Sequence, residues 1–352
     1  MAISSATPTS ALTCGAPAEP YPTYPDPYDG GAGVRGRSAV QNEEVVAVVV
    51  TWNRRELLAE ALRAVQAQTA PLRRTIVVDN ASTDDTLDMV ARDFPEVEAI
   101  PVARNLGGAG GFAVGLDSAL AEPCDAVWLM DDDTIPEPTA LAELLRSRRA
   151  AHRGRPPALC ASRVSWIDGR DHPMNTPRTK PGARHSERAA AAAAGGIPIR
   201  SASFVSVLVD AALVRQRGLP LADYFLWNDD FEFTTRLTKG RLAIYCPASV
   251  VVHKTKTFGS TDADPGERFY FEVRNKVWLF TRSRGLNPLE KAAYGSSTLR
   301  RWARTVSHSS NRSVLLRGLG RGLWDGIRRG PRPTAEVIAG VVVRDEQQGH
   351  RA

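Results

Sequence analysis

Cysteine is scarce in this chain. Its 352 residues include four, Cys14, Cys124, Cys160 and Cys246, and no two form a C-x-x-C pair. That spacing speaks against zinc ligands and a disulfide framework, and fits thiols in a reducing compartment. No apolar run approaches the roughly 20 residues that a spanning helix needs. The N-terminus has no basic stretch followed by an apolar one, so no signal peptide is expected and a cytoplasmic location is. An acidic excess is also missing. The formal net charge is +6 and the sequence pI about 9.3, which implies affinity for phosphates or anionic surfaces without saying which. No nucleic-acid partner is expected. What the chain does have is core material: 43% of it is hydrophobic, enough for one large α/β domain with additions or for two small domains.

Residues 1–42 are rich in Pro, Ser, Thr, Gly and Ala, and Tyr21-Pro22-Thr23-Tyr24-Pro25-Asp26-Pro27 suits neither ladder nor helix; a disordered tail is expected. From residue 43 strand and helix patterns alternate, which predicts a parallel sheet with crossover helices. The apolar run Val45–Val50 ends at Thr51-Trp52-Asn53-Arg54, and Thr75–Val78 ends at Asp79-Asn80-Ala81-Ser82-Thr83-Asp84. Ser82 or Thr83 can cap the helix that follows. Arg104-Asn105-Leu106-Gly107-Gly108-Ala109-Gly110-Gly111-Phe112 comes next. Its glycines would let backbone approach a ligand and leave amides free for an anion. The segment also fits G-x-G-x-x-A, a dinucleotide fingerprint, but it follows the third strand rather than the first.

The central stretch is Ala126-Val127-Trp128-Leu129-Met130-Asp131-Asp132-Asp133. A short apolar run without polar alternation suits a strand buried on both faces. Its acids would then sit at the carboxyl edge, where open α/β sheets bind ligands. Adjacent carboxylates resist joint ionisation, and a hard divalent cation, Mg²⁺ or Mn²⁺, relieves that cost. A solvated acidic turn, or Asp133 as a helix cap, is the plainer alternative. Residues 168–200 read as a long irregular insertion. A second apolar-to-acidic stretch, Tyr224-Phe225-Leu226-Trp227-Asn228-Asp229-Asp230-Phe231-Glu232, opens a helix whose dipole favours carboxylates. Leu242–Cys246 and Val250–His253 read as two strands, with His253 emerging at the end of the second as a candidate ligand. Residues 286–330 are Arg-rich with apolar side chains interspersed, and predict basic amphipathic helices. A contact with an anionic membrane surface and packing on the domain are both open readings. Residues 331–352 read as a second tail.

Together these motifs resemble the family-2 glycosyltransferases of the GT-A fold, over about residues 44–285. The resemblance rests on Val48–Arg54, Val77–Asp84, Asn105–Phe112, Asp131-Asp132-Asp133, Asp229-Asp230-x-Glu232, His253 and Arg274-Asn275 in that order. Within the family, Asn105–Phe112 and Pro265–Asn275 are most similar to bacterial UDP-galactofuranose transferases that start galactan on a polyprenyl-diphosphate-linked disaccharide; rhamnosyltransferases stay in contention. The resemblance implies a Rossmann-like, mostly parallel sheet flanked by helices, with residues 43–135 as the nucleotide half and 136–285 as the acceptor half. It implies that Thr51, Asn53, Arg54, Asp79, Asn105, Gly107 and Asp132 hold a UDP-sugar. Asp131 and Asp133 become an Asp-x-Asp pair for Mn²⁺ or Mg²⁺, with His253 a further ligand. Asp230 becomes the general base, with Asp229 as an alternative, and Glu232 orients the acceptor. Trp227 stacks on a sugar, and Arg274 joins it on the acceptor side. The partners implied are a nucleotide-sugar donor and an oligosaccharide or lipid-linked acceptor. A nicotinamide-dependent oxidoreductase and a non-catalytic sugar-nucleotide-binding module are the rival classes.

Overall fold

The structure is a computed structural model and describes residues 43–255, 258 and 264–343. The expectation for residues 1–42, and Cys14 with it, lies outside these. The first half runs β1 (Val45–Thr51), α1 (Arg55–Gln66), β2 (Arg74–Asp79), α2 (Thr86–Asp93), β3 (Glu98–Pro101), α3 (Gly107–Ala121), β4 (Ala126–Asp131), β5 (Thr134–Pro136) and α4 (Ala140–Ala150). The middle runs β6 (Leu159–Ser165), β7 (Arg178–Thr179), α5 (His185–Ala193), β8 (Ile197–Ser201), β9 (Val207–Asp210), α6 (Ala211–Arg217), α7 (Asp229–Leu237) and β10 (Ala243–His253). Four helices follow: α8 (Phe269–Thr281), α9 (Pro288–His308), α10 (Arg312–Arg328) and α11 (Thr334–Ile338).

The strand order is β3-β2-β1-β4-β9-β6-β10-β8-β7, with β5 paired to β10. β1, β2, β3 and β4 are mutually parallel, and β6 runs parallel to β10. β9 sits antiparallel between β4 and β6, so those two strands still point the same way. The sheet is therefore mostly parallel, as continuous apolar strands require, because both of their faces must be covered. Every residue of β1 is buried. One core layer lies under α1, α2 and α4, and another under α3 and α6, on opposite faces of the sheet.

Parallel register decides where the polar exits fall. Thr51 pairs with Asp79, and Val50 pairs with Asp131. Three strand ends thus reach one edge within a residue of each other. β10 adds a fourth, because its pairing with β5 puts His253 opposite Thr134, one residue past Asp133.

Several expectations need correcting. The glycine-rich segment is not a loop: α3 starts at Gly107. A Cβ on Gly111 would sit 2.5 Å from Val50, and one on Gly115 2.3 Å from Val48. These glycines let α3 press onto β1 rather than open a phosphate cradle. Gly107 has φ +68° and a Cβ there would lie 1.9 Å from the Phe225 carbonyl. Only glycine fits there, where the chain passes the 225–228 loop.

The 168–200 insertion is more ordered than its composition suggests, since it carries β7, α5 and the start of β8. The two strands expected at 242–253 are one, β10, with a register shift between Cys246 and Val250. Neither Ser82 nor Thr83 caps α2; the Asp84 carboxylate accepts from Thr86 N–H at 3.2 Å instead. The expected C-terminal tail includes α11, and Val342 bridges Val102 beside β3.

Candidate active site

The acids at the sheet edge are crowded and mostly withdrawn from water. Asp132 is buried; its Oδ2 accepts from Thr51 Oγ1 at 2.9 Å, and its Oδ1 from Arg54 Nη1 at 2.9 Å. Asp133 accepts from the same Arg54 nitrogen at 2.7 Å. Burial, with Asp133 as neighbour, pushes the Asp131 carboxyl up to about 7. Burial also lifts Asp132 to about 6 against the pull of Arg54. At Asp133 burial is outweighed by His253 and Arg54, which hold it below the usual carboxylate range. Burial alone would lower His253, yet Asp133 and Asp131 raise it.

Asp131, Asp133 and His253 can each offer an atom with all three within 4.8 Å of one another. Asp133 Oδ1 lies 3.0 Å from His253 Nε2. It is buried and makes no well-formed hydrogen bond among the described residues. His253 Nδ1 lies 2.9 Å from Asn175 Oδ1. A carbonyl oxygen only accepts, so Nδ1 carries a proton and Nε2 faces the carboxylates. Two carboxylate oxygens and an imidazole nitrogen with an orphaned oxygen among them fit a hard divalent cation, with Mn²⁺ more tolerant of nitrogen than Mg²⁺. Asn175 belongs to the insertion and carries no motif, so nothing in the sequence marked it.

The nucleotide-side residues divide into two kinds. Asp79 is buried, its Oδ2 accepts from Ser82 N–H at 3.1 Å, and its Oδ1 has no partner among the described residues. Burial raises its pKa. That oxygen is an acceptor still to be matched with a donor. Thr51, Asn53 and Asn105, by contrast, bond within the protein. Thr51 holds Asp132, while Asn53 Oδ1 accepts from Thr83 N–H at 2.7 Å and ties two strand exits together. Asn105 Oδ1 accepts from Gly107 N–H at 2.7 Å, at the entry to α3. Arg54 likewise sits on the acids. Trp52, 51% exposed, is the open face beside them.

The second acidic stretch reaches this edge through a strained loop. Phe225, Trp227 and Asn228 have φ of 61°, 65° and 66°, a conformation that costs side-chain-bearing residues about 1–3 kcal/mol each. Asn275, fully buried on α8, offsets this. Its Nδ2 donates to the carbonyls of Tyr224, Leu226 and Trp227 at 2.9, 2.8 and 2.9 Å. α7 then begins at Asp229. The Asp229 carboxyl is pushed well up by burial, then by Asp230, and also by Asp131, so the two acid groups lie in each other's field. Asp230 is raised by burial and opposed by Lys276 and Arg178. Asp229 thus feels the charge of the cation-binding cluster, and Asp230 that of basic residues.

Glu232 and Arg274 do not lie where acceptor contacts were expected. Glu232 is buried, paired with Arg236 at 3.1 Å and accepting from Ser283 Oγ at 2.9 Å. Arg274 Nη2 donates to the carbonyls of Asp223 and Tyr224 at 2.7 and 3.1 Å, and its guanidinium lies 4.3 Å over the Trp278 ring. Both side chains hold the 223–228 loop and α7. The half-buried Trp227 is carried by that loop. Lys276 and Arg178, whose charges bear on Asp230, were missed because each looks like an ordinary helix or loop residue; Asn275 was marked only within the Arg274-Asn275 pair, without a role.

A mostly parallel sheet with its acids gathered at the carboxyl edge is the architecture of GT-A glycosyltransferases. Solved structures share the fold: Staphylococcus aureus TarS 1-349 in complex with UDP-GlcNAc aligns with TM-score 0.55 at 17% identity, covering 84% of each chain. GalNAc-T7 with UDP, GalNAc and Mn²⁺ aligns with TM-score 0.52 at 14% identity, over 84% of this chain and 57% of that one. The description Glycosyl transferase family 2 matches residues 46–212. The galactofuranosyltransferase GlfT1 of Mycobacterium tuberculosis (strain H37Rv) is 31% identical over 260 residues, 68% of this chain and 83% of that protein. That of Mycolicibacterium smegmatis is 44% identical over 110 residues, but the matched part spans only 36% of that relative's length. The chain belongs to glycosyl transferase family 2.

Proposed function

We propose that this protein is an inverting, metal-dependent glycosyltransferase. It moves a sugar, galactofuranose before rhamnose or another hexose, from a UDP-sugar to a hydroxyl of a glycan or polyprenyl-diphosphate-linked saccharide. The observation that carries this reading is convergence: Asp131, Asp133 and His253 form a cation-sized cluster, and Asp229, from a distant part of the chain and next to Asp230, lies in the field of Asp131. The names of the M. tuberculosis relatives favour galactofuranose. UDP in the structural neighbours' titles supports the nucleotide.

Asp79 Oδ1 accepts the uracil N–H, and Trp52 covers the base. Asp131, Asp133 and His253 hold Mn²⁺ or Mg²⁺, which when bound neutralises charge on the leaving diphosphate. Asp132, fixed by Thr51 and Arg54, keeps its neighbours in place. Asp230 takes the proton from the acceptor hydroxyl as that oxygen attacks the anomeric carbon. A raised carboxyl pKa suits this task, since the group must hold the proton it receives. Asp229, in the field of Asp131, is assigned to the donor side. One displacement from the face opposite the diphosphate inverts the carbon and needs no covalent nucleophile.

The test is donor and product together. With Mn²⁺ present, UDP-galactofuranose is expected to raise Tm more than other nucleotide sugars and to be consumed with a lipid-linked or oligosaccharide acceptor. NMR of the product should show the anomeric configuration opposite to the donor's. Retained configuration, or binding of every donor without transfer, refutes the reading.

A peripheral membrane contact fits the same reading. Among the described residues no helix is long and apolar enough to cross a membrane. α10 turns Leu315, Gly318, Gly322 and Gly326 inward, where the glycines let it approach α8 closely. Leu299, Leu316, Trp324 and Ile327 stay 64%, 54%, 62% and 67% exposed, among arginines. That combination suits a headgroup layer with anionic lipid. The protein should sediment with vesicles containing phosphatidylglycerol and release as salt rises; equal binding to neutral vesicles contradicts this.

A further inference from the structure

Between the 173–179 segment and α9 lies a cavity of about 510 Å³, with Arg178, Arg301 and Tyr294 in its wall. Arg178 is exposed, and its side chain makes no hydrogen bond or ion pair among the described residues. Its guanidinium lies 5.5 Å over the Phe231 ring and 5.7 Å over the Tyr294 ring. Lys276, 8% exposed and not part of the cavity wall, approaches the same Phe231 ring, with its ammonium 5.0 Å from the ring centre. Lys276 also has no hydrogen-bond or ion-pair partner among the described residues, although it lies in the field of Arg178, Arg301, Glu272 and Asp230. Burial disfavours its ammonium and lowers its pKa to about 8, a cost that a nearby anion would relieve. Glu272 does not serve, because it already accepts from Arg301, Trp302 Nε1 and Asn228 Nδ2. Three cations here face two carboxylates, Glu272 and Asp230, and two of the cations are uncommitted.

We propose that this cavity is an anion subsite that binds a phosphate or diphosphate carried by the acceptor, with Arg178 as its ligand, Arg301 in support and Lys276, beyond the cavity wall on the same Phe231 ring, adding positive field. The inference rests on the glycosyltransferase reading above, and within it the anion belongs to the acceptor. The donor's diphosphate belongs with Asp131, Asp133 and His253. Arg178 of the cavity wall, and Lys276 near it, bear instead on Asp230, where the acceptor hydroxyl loses its proton. Arg178 offers a planar fork suited to phosphate, and the aromatic rings beneath it fix its direction. The 168–200 insertion gains a role, since it supplies Arg178.

The test compares two acceptors with the same saccharide, one with a reducing-end diphosphate and one a neutral alkyl glycoside. The wild-type enzyme is expected to favour the diphosphate in KM. Arg178→Gln should collapse that preference by roughly tenfold or more, as loss of a charge-assisted phosphate contact implies, and Arg178→Lys should restore part of it. Lys276→Met should act in the same direction. Equal KM for the two acceptors in the wild type, or equal loss on both in the variants, overturns the subsite and leaves the glycosyltransferase reading intact. A wild type that transfers to neither acceptor counts against that reading instead. The subsite is then decided by inorganic diphosphate in chelator. Saturable stabilisation that Arg178→Gln abolishes supports it, and none in the wild type rejects it. A water-soluble diphosphate acceptor and its polyprenyl counterpart should share the Arg178 dependence; dependence confined to the lipid form would place recognition at the membrane rather than in the cavity.

Discussion

Asp230→Asn is expected to lower transfer by about 10²–10⁴-fold, the usual worth of a general base, while donor affinity changes little. The exchange keeps size and shape. Asp230 Oδ1 accepts from Phe231 N–H at 2.6 Å, and the amide oxygen of Asn keeps that bond at the start of α7. What is lost is the capacity to take a proton. Asp229→Asn separates the two carboxyls. Asp229 is buried and its pKa is raised by burial, by Asp230 and by Asp131, so removing its charge relieves repulsion near the cation cluster. Asp229→Asn should therefore alter donor and metal affinity more than the proton-transfer step. Donor Kd by calorimetry and single-turnover rates separate these effects. Parallel loss of donor binding and turnover in Asp230→Asn would make Asp230 structural. The rate of the wild type should rise with pH through the raised Asp230 pKa, because only the deprotonated carboxyl is a base. Asp230→Asn should flatten that limb.

The strand exits were legible because each buried strand is an unbroken apolar run that stops at polar residues. Val45–Val50 and Ala126–Met130 admit no other reading in a parallel sheet, and register then brings Thr51, Asp79 and Asp131 together without further information. The roles of individual polar side chains were less legible, because a motif gives position along the chain but not direction in space. Glu232 lies two residues past Asp230 on a helix, which turns it about 200° away at 3.6 residues per turn, into the domain and onto Arg236. The Arg274-Asn275 marker gives Asn275 a place but no task; that emerges only with Phe225, Trp227 and Asn228 in the left-handed region and their neighbourhood's carbonyls converging on it. The insertion was hidden by its composition. Its Pro, Gly and Arg content reads as irregular chain, yet β8 pairs with β10 and Asn175 reaches His253.

Chelation is the sharpest remaining test of the edge cluster. EDTA should stop transfer, and Mn²⁺ or Mg²⁺ should restore it. The physical reason is the proximity of Asp131 and Asp133, whose neighbours alone do not settle their charge: burial lifts Asp131 to about 7 while Arg54 and His253 hold Asp133 down. A divalent ion between them stabilises both as carboxylates and leaves His253 neutral, so Mn²⁺ binding should release protons and weaken as pH falls. Asn175→Ala tests the support rather than the ligands. Without Asn175 Oδ1 the His253 ring loses the partner that fixes its Nδ1–H, and loss of such a partner typically weakens metal affinity about 10–100-fold. Mn²⁺ titration followed by electron paramagnetic resonance reads this directly, with no transfer assay involved. The expected order of Kd is wild type tightest, then Asn175→Ala, then His253→Ala. Full transfer in EDTA, or Mn²⁺ affinity indifferent to both substitutions, would remove the cation from the site and leave Arg54 as the group that balances the acids.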